Sequence, residues 1–96
     1  MMHDKRFTVE PSRSRTLSVN GMAFHWMTSD SGHVVIQHES GHGCAVVIEP
    51  SGEFKSDQVP EVIRLALDAD WEPQQDGPNQ YYIFDARNGF FSQRPT

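Results

Sequence analysis

From residue 16 to residue 49, apolar and polar side chains follow the period of two that marks half-buried strands. Val19-Asn20-Gly21-Met22 sets Asn-Gly between two such runs, and both residues tolerate the positive φ of a type I′ turn, so a hairpin is predicted there. The strand leaving it, Met22–Thr28, places Met22, Phe24 and Trp26 on one face and Ala23, His25 and Met27 on the other. Ser29-Asp30-Ser31-Gly32 is a turn cluster. A third strand over His33–His38 turns Val34 and Ile36 one way and Val35 and Gln37 the other. After the turn Glu39-Ser40-Gly41-His42-Gly43, Cys44–Glu49 reads as a fourth strand, closed by Pro50-Ser51-Gly52.

The period changes over residues 57–70. Val59, Ile63, Ala66, Leu67 and Trp71 fall on one face of a helix, while Glu61, Arg64 and Asp68 take the solvent side. Ser56 or Asp57 is the expected N-cap, and Pro60 sits in the first turn, where a missing N–H costs least. Trp71 extends the apolar stripe and is predicted to anchor the helix end on the sheet before Pro73 redirects the chain. Residues 74–79 form a loop, and Gln80–Asp85 reads as a fifth strand. Asn88-Gly89 is a second hairpin signal, with Phe90–Gln93 as a short return strand.

The pattern defines an α+β fold: an antiparallel β-meander of four to five strands with one α-helix packed on one face, in the order ββββαβ. A single domain spans 16–93. A flexible N-terminal arm over 1–15 precedes it, with a short strand at Arg6–Glu10 broken by Pro11.

The segment Ala66-Leu67-Asp68-Ala69-Asp70-Trp71-Glu72-Pro73, taken with the Val-Asn-Gly hairpin, resembles a group of small uncharacterised bacterial proteins. In that group a short β-meander leads to one helix ending in Ala-Leu, then Trp-x-Pro and a last strand. The resemblance covers residues 16–85 and implies this fold. It carries no activity and no functional residues. Asp70 stands where the group has a C-terminal glycine, and Pro60 lies deeper in the first turn.

A length of 96 residues leaves room for one core only. Hydrophobic residues are 36% of the chain, but six Phe, two Trp and two Tyr supply enough apolar bulk to fold. One cysteine excludes an internal disulfide and a four-cysteine zinc site. No apolar run has the length of a membrane span, and the opening residues lack the apolar core of a signal peptide, so a cytoplasmic protein with no membrane partner is expected. A net charge of −5, from 8 basic and 13 acidic residues, argues against nucleic-acid binding. The arm holds Lys5, Arg6, Arg13 and Arg15 against Asp4 and Glu10, a balance of +2, which leaves −7 on the remainder. It is either a frayed terminus or a basic segment folded back on an acidic body.

His38-Glu39-Ser40-Gly41-His42 spells the H-E-x-x-H string of zinc proteases. That chemistry needs a helix to bring two histidines to one face. Here the string lies between strand patterns and contains a glycine, so a turn is predicted. His38, His42 and Cys44 stay as metal-ligand candidates because a tight hairpin gathers them, although strand alternation alone does not make them converge. No cofactor is assigned. Cys44 shares a face with Val46 and Ile48, as a small buried hydrophobe would. His42 with Cys44 is a possible dyad, but His42 lies in the turn and Cys44 opens the strand, so no regular geometry brings the two together and a nucleophilic dyad finds little support. No phosphate-loop, dinucleotide or nucleophile-elbow string occurs.

Two features concern partners. Asp68, Asp70 and Glu72 cluster at the negative end of a helix, either as a solvated end or as a dock for a cation or a basic segment. Trp71, Tyr81, Tyr82, Phe84, Phe90 and Phe91 crowd into a short stretch, as core residues and as interface residues do. One helix covers one face of a sheet. The opposite face, with Ala23, His25, Met27, Val35, Ala45 and Val47, is too apolar to meet water along its whole length. A homodimer is therefore expected through Met27, Val35, Val47, Tyr81, Phe90 and Phe91, with the N-terminal arm or the Phe90-Phe91 return strand as the alternative cover. The function class is a non-enzymatic interaction or assembly module. The alternative is a small-ligand or metal-ion binder using the histidine-bearing hairpin.

Overall fold

Asn20 and Gly21 adopt φ of 53° and 78°, the left-handed pair of a type I′ turn, and join β1 (Arg15–Val19) to β2 (Met22–Thr28). The structure, a computed structural model, describes residues 14–41 and 43–93, Phe90 without its side chain. The expected Arg6–Glu10 strand, the rest of the arm up to residue 13, and His42 lie outside the described residues. Val19 pairs with Met22 and Arg15 with Trp26, so the hairpin is in register along its full length. The chain then runs through β3 (Val34–His38), β4 (Val46–Ser51), α1 (Val59–Asp68), β5 (Gln80–Asp85) and β6 (Phe90–Gln93). The six strands lie in the sheet in sequence order.

The α+β class holds, with six strands and one parallel pair among the described residues where an all-antiparallel meander was expected. β4 and β5 run parallel, Val46 beside Gln80 and Ser51 beside Asp85. A helix must cross the sheet between them, and a crossover that returns to the neighbouring position brings the strand back in the same direction. β4 also starts two residues later than the pattern suggests and carries Pro50 inside it. Ala45 and Ser51 direct their carbonyls to the β5 side, accepting from the Gln80 and Ala86 N–H groups. By alternation Pro50 faces the β3 side, and β3 has already ended at the Val34–Ile48 pair. The missing N–H therefore faces no ladder.

The helix begins differently from expectation. A tight 3₁₀ turn over Ser56–Gln58 precedes it, and neither Ser56 nor Asp57 caps α1. Gln58 does the tying: its Oε1 accepts the Lys55 N–H at 2.9 Å, and its Nε2 donates to the Ala86 carbonyl at 3.0 Å. The helix start is thus fastened to the turn after β5. At the other end Asp70, with φ of 71°, occupies the left-handed position where glycine is usual. The Trp71 N–H reaches back to Ala66 O and the Asp70 N–H to Leu67 O, the two bonds of a Schellman ending.

One face of the sheet packs on α1. Phe24, Val34, Ile36, Val46, Ile48, Tyr82 and Phe84 meet Val59, Val62, Ile63 and Ala66, with Trp71 closing the end. Val62 is fully buried although the pattern did not single it out, and Leu67, expected inside, is half-buried. Phe84 meets Phe54 edge-on at 5.9 Å, and Tyr82 stacks on Phe91 at 4.4 Å. The other face holds a smaller buried cluster of Met27, Val35, Ala45 and Val47, with Tyr81 packed against it. Among the described residues no helix is long and apolar enough to cross a membrane.

Two glycines in the loop before β4 make a controlled comparison. Gly41 (φ 76°) has open space where a Cβ would stand, while Gly43 (φ 91°) has the Pro73 backbone carbonyl there. Gly41→Ala should cost only the left-handed backbone penalty, roughly 1–2 kcal/mol. Gly43→Ala should cost clearly more, because the 71–75 segment must also move, and urea unfolding of the two variants measures the gap. The β5–β6 turn supplies a pH test. The Asp85 carboxylate accepts from the Asn88 side chain at 2.9 Å and from the Asn88 and Arg87 N–H groups at 3.2 and 3.0 Å. The Asn88 side-chain bond, followed by these backbone bonds, holds that carboxyl below its ordinary 3.8. Its contribution is complete above that value and is lost as pH falls through the lowered one. The protection of the Asn88 and Gly89 amides, measured against their intrinsic exchange rates, should therefore fall on acidification only below the usual carboxylate range.

Candidate functional site: a groove at the helix end

Trp71 is 2% exposed, lies 5.6 Å from the Phe24 ring at a tilt of 34°, and donates its indole N–H to the Cys44 carbonyl at 3.1 Å. The next residues of the chain add to this contact. The Cys44 N–H donates to Gln75 O at 3.0 Å, and the Cys44 thiol points to Glu72 O at 3.7 Å. The Ala45 N–H donates to Asn79 Oδ1 at 3.1 Å. Residues 71–79 are therefore sewn to residues 43–45, and this fixes an otherwise irregular loop against the end of the helix.

Between that loop, α1 and the first hairpin an open groove of about 630 Å³ remains. Trp71 and Pro73 form its buried floor, half-buried Met22 and Leu67 its apolar walls, and Glu72, Gln74 and Gln75 its exposed polar side. Glu72 and Gln75 also line an adjoining cleft of about 260 Å³ that holds Asp70 and Asp76, with Cys44 among its walls. Among the described residues, no Lys, Arg or His lines either space. Burial raises the Tyr82 phenol above its ordinary 10.0, and the neighbouring Cys44 and Asp70 raise it further. The helix ends here without a basic residue in its last turn. Its partial negative charge adds to that of the carboxylates.

Of the metal-ligand candidates, His38 and Cys44 are among the described residues and His42 is not. His38 is 8% exposed, faces Phe24 edge-on at 6.0 Å, and its Nδ1 accepts the Ser40 N–H at 3.1 Å. In the neutral ring this bond puts the proton on Nε2. The string His38–His42 is no helix where it is described: Glu39 and Ser40 form a turn, and Gly41 takes a φ of 76°. Cys44 is buried in the helix-side core, as expected. Among the described residues no three His, Cys, Asp or Glu side chains gather as a metal site.

A network that the sequence did not suggest braces the β2–β3 turn. Ser29 Oγ lies 2.9 Å from Ser31 Oγ, Ser31 Oγ 2.8 Å from His33 Nδ1, and His33 Nε2 3.7 Å from Glu49 Oε1. The signal was the strand register, since His33 and Glu49 stand one step beyond the Val34–Ile48 pair.

Of the expected interface residues, Met27, Val35 and Val47 are 5%, 0% and 1% exposed within the single chain. Tyr81 and Phe91 are half-buried, and the Phe90 side chain lies outside the described set. Comparison with protein-family models, curated proteins and solved structures returned no match.

Trp71→Ala should cost roughly 3–5 kcal/mol in urea unfolding. Trp71→Phe keeps most of the bulk but leaves the Cys44 carbonyl without its donor, and should cost about 1–3 kcal/mol. A Phe variant as stable as wild type would show that the indole bond contributes nothing.

Proposed function

We propose that this chain is a non-enzymatic interaction module that docks a basic protein segment carrying an apolar anchor residue. The observation that supports it is the pairing of the Met22–Leu67–Trp71–Pro73 groove with the carboxylates of Asp70, Glu72 and Asp76 in the cleft beside it. An apolar side chain seated on Trp71 and Pro73 gains burial. A Lys or Arg one or two residues away gains the field of three acids and of the helix end. An open cavity of about 480 Å³ at the far end of the first hairpin has apolar walls in Trp26, Met27 and Phe54, but among the described residues its charged lining residue is a cation, Arg15, whose guanidinium lies 5.6 Å over the Trp26 ring. A bacterial cytoplasmic location belongs to this reading, supported by the one free, buried thiol at Cys44.

Selection of a displayed random dodecapeptide library on the immobilised protein tests this reading. Enriched peptides should combine an aromatic or aliphatic residue with Lys or Arg. Their affinity should fall at least tenfold with Leu67→Asp and should weaken with salt. Peptides without that signature, or equal binding to the Leu67→Asp variant, would overturn it. Light scattering of the chain alone identifies the other occupant: a dimer dispersed by Leu67→Asp would make the partner a second copy.

A further inference from the structure

The sheet face away from the helix presents a contradiction. Val35, Val47, Ala45 and Met27 are 0%, 1%, 4% and 5% exposed, values of a closed interior. Yet α1 lies on the other face, and Tyr81 is the partly buried apolar residue packed on this cluster among those described. Side chains on a bare strand face keep part of their surface in water, so these four need a cover.

We propose that this face is the docking site of the chain's own N-terminal segment, residues 1–13, in the same molecule. Three observations select that occupant. The first is position: β1 begins at Arg15, which pairs with Trp26, so the preceding chain enters beside Met27. The second is reach. Crossing from β2 to β5 spans three strand spacings, about 14 Å, which an extended chain covers in roughly five residues. The third is chemistry. In the sequence Arg6-Phe7-Thr8-Val9-Glu10, an extended backbone puts Phe7 and Val9 on one side. Lys5, Arg6 and Arg13 outnumber Asp4 and Glu10, so the segment carries 3 − 2 = +1. Glu49 stands beside Val47 on this face with 45% of its side chain exposed, and Asp30 lies exposed at the β2–β3 turn. The segment thus brings two apolar residues for the cluster and cations for its acidic margin. Seated this way, it closes the second face of the sheet and leaves the helix-end groove open.

Isotope-filtered NOE measurements on the full chain test the proposal. Labelled protein alone should show contacts from Phe7 and Val9 to Met27, Val35, Val47 or Tyr81. A mixture of labelled and unlabelled chains should show none between copies. The Phe7→Glu, Val9→Glu double variant should shift the methyl signals of that face and raise binding of a hydrophobic dye, with peptide binding at the groove unchanged. Contacts that appear only between copies would overturn the proposal and make a second chain the cover. Absence of any contact from residues 1–13, with methyl signals unmoved in the variant, would overturn it as well. Failure of the groove to select peptides bears on the other site and leaves these outcomes unaffected.

Discussion

The fold turns on the indole of Trp71 against the Cys44 carbonyl. A helix that crosses a sheet must hand the chain to the next strand at the right height, and here the return segment is irregular. The indole bond, the Gln75 carbonyl on the Cys44 N–H and the Asn79 side chain on the Ala45 N–H fix that height. Gln80 then meets Ala45 and the parallel ladder begins. Each contact satisfies a backbone group at or beside the buried entry to β4, where an unpaired group is costly. The close fit of Gly43 against Pro73 lets the two segments approach so nearly.

Much of this architecture was legible in the sequence because the local signals agree with one another. Asn20-Gly21 demanded a left-handed turn, and the period of two on both sides left only one register for the hairpin. The Val59–Ile63–Ala66 spacing marked the helix face, and Trp71 followed on the same stripe. The parallel pair was hidden because it comes from connectivity: β5 looks the same in sequence whichever way its neighbour runs. The helix start was misplaced because Ser56 and Asp57 are common caps, while the group that ties Lys55 and Ala86 is the long side chain of Gln58. Val62 was missed because a stripe read from a few spacings is narrower than the face a helix buries between a sheet and its flanks.

The site was only half visible. The acids Asp70 and Glu72 and the Trp-x-Pro step stood together in the chain and suggested a dock. Met22, which walls the groove, comes from the far hairpin, and Asp76 from a loop with no period of its own. Both reach the site through the tertiary contacts that Trp71 organises. The metal candidates show the reverse case. His38 and His42 have the spacing of a known string, but His38 faces the aromatic core with Ser40 as its partner; Cys44, a candidate through the hairpin and not the string, turns into the helix-side interior. A residue string is chemistry only when its backbone supplies the geometry that the chemistry needs.

The helix end departs from local rules more than any other described part of the chain. A left-handed position that favours glycine holds Asp70, and the negative end of the helix dipole carries Asp68, Asp70 and Glu72 without a cation in the last turn. Each choice is mildly unfavourable for the isolated fold, and a glycine and a lysine would relieve both. Natural sequences concentrate such departures where function is served. The same residues border the groove that Trp71 and Pro73 floor. In the proposed complex, a cation on the partner segment would supply the charge that the helix end lacks, and its apolar neighbour would cover the exposed side of Met22 and Leu67. On the proposed docking, the local cost of these carboxylates in the free chain would become part of the binding free energy of the complex, and it would also discriminate against acidic partners.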